Sequence, residues 1–239
     1  MRATRLAVVL GLGCWVACTP TRQDDAPGPA RTDDARAEAV EAREVLALKD
    51  ATVTLSPGHC AGVIVADGHH VLTAAHCIQG APGQRQSVVL RDGRLLGGEV
   101  KVVDGRRDMA VLRLDARAPV RALTVATALP SPGDTLLFAG RNDRPGEPQE
   151  VELRKLGRCP SLPEVPQALF TSLHGAKGDS GAPVVDHDLR VVGLVHGGAA
   201  CSIAAPTAEV SPLVDMLVAE VARPDADLGV GGAGGAGQP

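Results

Sequence analysis

Aromatic side chains are nearly missing: the 239 residues include one Trp, two Phe and no Tyr. Bases and sugar rings are commonly held by stacking on such side chains, so the sequence offers no platform for them. Positive charge is not in excess either. Twenty-four Lys and Arg face 28 Asp and Glu, for a formal charge of −4, and no basic stripe breaks the balance, which excludes nucleic acid as a partner. The apolar run from Leu6 to Ala17 spans about 18 Å as a helix, too short for a hydrocarbon core of roughly 30 Å. No Cys-x2-Cys or His-x3-His spacing occurs among the six Cys and seven His. A zinc site is the alternative use for four of those cysteines, but without such spacings neither metal nor cofactor is expected.

Apolar residues make up 44% of the chain and charged ones 22%, so a packed core is within reach and wholesale disorder is excluded. With so few rings, that core has to be Val, Leu, Ala and Ile, and its β-branched members favour strands. Val63-Ile64-Val65, then Asp67-Gly68, then Val71-Leu72 reads as a hairpin with an Asp-Gly turn. Short runs recur at Ser87 to Leu90, Gly98 to Val103, Ala110 to Leu114, Thr135 to Ala139, Glu150 to Leu156, Ala182 to Val185 and Val191 to Val195. Gly, Pro or Asp punctuates nearly every gap, which predicts an all-β barrel or sandwich. One helix is expected near the end, with Ser211 as N-cap and Pro212 as its first residue.

The two ends read as something other than fold. A basic start at Arg2 and Arg5 followed by the apolar run is the pattern of an export signal over residues 1–17. Trp15-Val16-Ala17-Cys18 resembles the bacterial lipobox, which implies cleavage before Cys18 and its lipidation; ordinary secretion is the alternative. Residues 18–45 are rich in charge and Pro and poor in large apolar side chains, and are expected to be a disordered tether. Residues 46–223 form the expected domain, and 224–239 a flexible Gly/Ala-rich tail. The protein is thus expected in the cell envelope, exported, monomeric, and touching the membrane through a lipid alone.

Three segments carry the chemistry: Leu72-Thr73-Ala74-Ala75-His76-Cys77, Arg107-Asp108-Met109-Ala110-Val111-Leu112, and Lys177-Gly178-Asp179-Ser180-Gly181-Ala182-Pro183. A serine hydroxyl is a poor nucleophile at neutral pH and needs a base. A histidine near pKa 6.5 can be that base if a carboxylate fixes its tautomer. In their order His, Asp, Ser, at spacings of 32 and 72 residues, the segments resemble those of the chymotrypsin-like (trypsin-fold) serine peptidases. The resemblance implies a double six-stranded β-barrel with a C-terminal helix. It also implies hydrolysis of protein or peptide substrates through an acyl-enzyme at Ser180, with His76 as base and Asp108 as its partner. The amides of Gly178 and Ser180 would form the oxyanion hole. A catalytically inactive binding protein of the same fold, and an esterase using the same three residues, are the alternatives.

The same resemblance implies a disulfide between Cys60 and Cys77, and a second between Cys159 and Cys201. It puts the substrate pocket at His174, Lys177, His196 and Gly198, where three cationic groups would read an acidic side chain, as in glutamyl endopeptidases of this fold. His196 has a second reading, because the family often carries there a Ser that orients the catalytic Asp. The usual partner of the Asp before the nucleophile, a new N-terminal amine, has no clear source here, which leaves the partner of Asp179 open.

Overall fold

The computed structural model describes residues 30–141, 148–197 and 203–221. The expected export signal, Cys18, Gly198, Cys201 and the tail over 224–239 lie outside them. The chain divides into two units, Met1–Ala39 and Val40–Pro239, and the strands all belong to the second.

Helix α1 covers Ala30–Ala51, which corrects the expectation of a disordered tether reaching residue 45. The segment ARTDDARAEAVEAREVLALKDA lacks large apolar residues for most of its length, but Ala, Glu, Arg and Leu are the strongest helix formers. Its last turns also reach the core, where Leu48 and Ala51 are fully buried.

The first barrel closes in the order β1-β2-β3-β6-β5-β4, from β1 (Thr52–Ser56), β2 (Ala61–Val65), β3 (His70–Thr73), β4 (Arg85–Val89), β5 (Leu95–Asp104) and β6 (Met109–Leu114). Every neighbouring pair is antiparallel. The predicted Asp67–Gly68 hairpin joins β2 to β3 with Val63 opposite Leu72, and Gly68 takes φ +85° there, which glycine adopts at no steric cost. All five residues of β2 are buried. Ile64 faces one apolar cluster with Val53, Val71 and Leu112, while Val63 and Val65 face another with Leu162, Val185 and Leu194. Burial on both faces explains why β2 reads as an unbroken apolar run rather than an alternation.

The second barrel comprises β8 (Thr135–Phe138), β9 (Gln149–Gly157), β10 (Ala168–Thr171), β13 (Ile203–Pro206), β12 (Arg190–Val195) and β11 (Pro183–Val185), closed by β11 pairing with β12. A two-residue strand β7 (Thr124–Val125) runs parallel along β12. The fold is therefore the expected pair of six-stranded antiparallel barrels. Helix α2 (Ser211–Val221) ends the described chain. Ser211 already has helical dihedrals (φ −50°, ψ −47°) and a 3-10 turn over Ala208–Val210 precedes it, so the expected N-cap role of Ser211 is corrected. No helix among the described residues is long and apolar enough to cross a membrane.

His70, at the start of β3, is wholly buried; its Nδ1 lies 3.0 Å from Asp67 Oδ1 and its Nε2 has no hydrogen-bond partner among the described residues. Burial pushes its pKa below the ordinary 6.5, against the opposing pull of Asp67. An unfolded chain takes up this proton first as pH falls, so stability declines from about pH 6.5 downward until the folded value is reached. The thermal midpoint of wild-type protein should therefore drop more between pH 7 and pH 5 than that of His70→Leu. Parallel pH curves for the two proteins would contradict this.

Candidate active site

His76 sits on a 3-10 turn (Ala75–Cys77) that follows β3, and Asp108 in the turn between β5 and β6. Asp108 takes a left-handed backbone (φ +55°), a conformation that Asp tolerates better than most non-glycine residues. That turn directs its carboxylate at the His76 ring. Nδ1 of His76 lies 3.0 Å from Oδ1 and 2.9 Å from Oδ2, and the His76 backbone N–H also donates to Oδ1 at 2.9 Å. Burial pushes the Asp108 carboxyl up, but hydrogen bonds from His196 and His76 outweigh it and hold the pKa down to about 2. The hydrogen bond to Asp108 in turn raises the His76 pKa above its ordinary value, against partial burial.

Ser180 belongs to the turn between β10 and β11. Its carbonyl accepts from Ala61 N–H at 2.8 Å, and the next amide, of Gly181, donates to Val195 at 2.7 Å. Gly181 (φ +82°) is packed so closely that a Cβ there would lie 2.3 Å from the Ala61 carbonyl and 2.4 Å from Thr73 Oγ1. Only glycine fits. Thr73 Oγ1 donates to that same Ala61 carbonyl at 2.7 Å, so the Ser180 turn and the end of the strand leading to His76 share one knot of hydrogen bonds. The Cys60–Cys77 disulfide, with Cα atoms 5.9 Å apart, closes the knot from the His76 side. Cys159 is also disulfide-bonded, whereas the Cys201 expected to pair with it is outside the described residues.

The amides of Gly178 and Ser180 donate to no protein group among the described residues, while that of Asp179, between them, donates to the Ala176 carbonyl at 3.0 Å. Gly178 takes φ +96°. Two unclaimed N–H groups two residues apart suit a developing oxyanion. Asp179 itself is buried and accepts from the amides of Ala176 at 2.6 Å and Arg141 at 3.3 Å. Its carboxylate is thus met from within the domain.

Ser180 Oγ does not hydrogen-bond to His76. It faces the His196 carbonyl at 3.5 Å, and a Cβ on Gly197 would lie 2.6 Å from it. Apo hydrogen bonds between nucleophile and base are often long or misaligned.

The expected pocket is only partly assembled. His174 and Lys177 are exposed on the turn ahead of Ser180. His196 is elsewhere: its Nδ1 makes a short contact with Asp108 Oδ2, and its Nε2 lies 3.1 Å from Ser161 Oγ. The ring meets His76 edge-on with centroids 5.7 Å apart. Both ring nitrogens of His196 are thus engaged, one with the Asp108 carboxylate and one with Ser161. Ser161 was not legible in the sequence, since a lone Ser in Cys-Pro-Ser-Leu-Pro carries no signal.

His76, Asp108 and His196 also gather ligand atoms of the kind that hold a cation. A cation bonded at ~2.0–2.1 Å in tetrahedral geometry would hold its ligand atoms more than about 3 Å apart. The observed contacts of 2.9–3.0 Å from His76 to the carboxylate, and the shorter one from His196, are hydrogen-bond geometry. Cys60 and Cys77 beside His76 are spent in their disulfide.

A buried carboxylate is thus hydrogen-bonded to a histidine that follows a strand of the first barrel, and Ser180 lies on a turn between strands of the second. The family profile for the trypsin-like peptidase domain matches residues 60–194, and the chain belongs to that family. The Rv3671c protease, solved in an inactive form, superposes with a TM-score of 0.59 at 19% identity, over 80% of this chain and 96% of that one. The HtrA-type protease AlgW superposes in a tripeptide complex (0.60, 22%, over 74% of this chain and 63% of that one) and in a decapeptide complex (0.58, 21%, over 75% and 67%). No curated protein matches the sequence.

Proposed function

We propose that the chain is a serine endopeptidase that hydrolyses peptide bonds through an acyl-enzyme. The observation that carries this reading is the ionised, buried Asp108 held against His76 Nδ1, with Ser180 on a turn whose two flanking amides are unclaimed. Ser180 Oγ attacks the acyl carbon while its proton passes to His76 Nε2. The imidazolium so formed is stabilised by Asp108, which keeps its negative charge. The amides of Gly178 and Ser180 receive the oxyanion, a contribution of about 3–4 kcal/mol per donor. His76 then returns the proton to the leaving amine, and the cycle repeats with water to free Ser180. Peptide-bound AlgW supports protein or peptide substrates, and the chemistry needs no cofactor.

One observation favours a second reading, a binding protein that does not cleave: Ser180 Oγ faces the His196 carbonyl rather than His76. An active-site-directed fluorophosphonate separates the two. Wild-type protein should label and Ser180→Ala should not; folded wild-type protein that stays unlabelled would sink the enzyme reading. Because His76 must be neutral to act and its pKa is raised, activity should fall as pH drops through a value above 6.5.

The leader and Cys18 support export with lipidation at that cysteine, which would leave the domain tethered at an envelope membrane. Lipid labelling of wild-type protein in cells should be lost in Cys18→Ala; equal labelling of the two would refute the anchor.

A further inference from the structure

We infer that His196 is a positioning residue that grips the Asp108 carboxylate beside His76, at the oxygen Oδ2 that both rings contact. A continuous hydrogen-bonded chain then runs His76, Asp108, His196, Ser161, and takes in Ser180 when its hydroxyl turns to His76 for the proposed reaction. This rests on the peptidase reading above and extends it by two residues. The family often has a Ser where this chain has His196, and the substitution changes what that position can do. A serine hydroxyl offers one short donor on a free rotor. An imidazole offers a donor on a rigid ring that can itself be locked from its far side.

That lock is present. Asp108 is only 6% exposed at its side chain and His196 only 13%, so solvent competes little for either. The carboxylate accepts from three donors: His76 N–H, His76 Nδ1 and His196 Nδ1. A neutral imidazole has one N–H and one lone pair. If Nδ1 carries the hydrogen toward Asp108, Nε2 must accept, and Ser161 Oγ stands 3.1 Å from it as the O–H donor. Ser161 Oγ in turn lies 3.0 Å from Cys159 Sγ, a disulfide-bonded sulfur, so the loop bearing this hydroxyl is itself pinned. The tautomer of His196 is thereby fixed, as the tautomer of His76 is fixed by Asp108.

Two consequences follow. The carboxylate cannot rotate away from His76 while one of its oxygens is held by His196. Negative charge is also shared between two imidazole N–H groups, so His76 feels less than the whole of it. Removing the second donor should misorient the carboxylate part of the time and leave His76 more basic.

The variants His196→Leu and His196→Asn separate these effects from packing, since Asn restores an N–H near the position of Nδ1 and Leu restores only volume. In His196→Leu, kcat should fall by about 10- to 100-fold with KM little changed, the loss expected for one hydrogen bond to a charged group. The acid limb of kcat/KM should also move to higher pH. His196→Asn should recover most of the rate and bring the limb back. The pKa of His76, followed by NMR titration in both variants, should shift upward in Leu and not in Asn, a readout that needs no turnover. It separates failure of this inference from failure of the peptidase reading: an unlabelled wild-type protein would sink the latter while the titration still reports on the grip. Equal losses in both variants, with His76 titrating as in wild type, would overturn the inference. So would a loss confined to substrates with acidic side chains, which would return His196 to the pocket.

Discussion

A carboxylate buried with three hydrogen bonds organises the candidate active site. Asp108 could not stay ionised in so enclosed a turn without donors, because desolvation penalises its charged form. The bonds from His196, His76 and the His76 backbone reverse that penalty and hold its pKa down to about 2. The retained charge then acts on its surroundings. It sets the tautomer of His76, raises its basicity and draws the turn after β3 toward the turn between β5 and β6. The left-handed backbone at Asp108 (φ +55°) is a local strain that this network sustains.

The nucleophile side is held by packing rather than by charge. Gly181 has no room for a side chain because the Ala61 carbonyl and Thr73 Oγ1 occupy the space. The Ser180 carbonyl is bound by Ala61 N–H, one residue from the Cys60–Cys77 bridge. The serine's position is therefore set by the same few atoms that fix the histidine's, and little of it depends on the long surface loops. Ser180 Oγ faces the His196 carbonyl, and the proposed chemistry requires it to turn toward His76.

Most of the framework was legible in the sequence because its signals are local. The Asp-Gly turn, the β-branched runs and the three motifs each occupy a handful of neighbouring residues. Strands β1, β10 and β13 escaped notice for a physical reason: Thr-Val-Thr-Leu-Ser, Ala-Leu-Phe-Thr and Ile-Ala-Ala-Pro are short, and their strand character comes from partners far along the chain. Helix α1 has few large apolar residues to mark it, and its Ala, Glu and Arg content is its main helical signal. At the site, His76, Asp108, Gly178 and Ser180 announced themselves through motif context. His196 was noticed but stayed ambiguous between pocket and support, since either role needs the same residue at the same sequence position. Ser161, 35 residues away, gave no signal, and it is the residue whose contact shows which way the His196 ring points.

The central claim is that two imidazole N–H groups donate to one buried carboxylate. Proton NMR of 15N-histidine-labelled protein tests this most directly, because strongly hydrogen-bonded Nδ1 protons resonate far downfield. The account predicts two such signals in wild type, one in His196→Leu and none in Asp108→Ala. A single downfield signal in wild type, unchanged by His196→Leu, would contradict it.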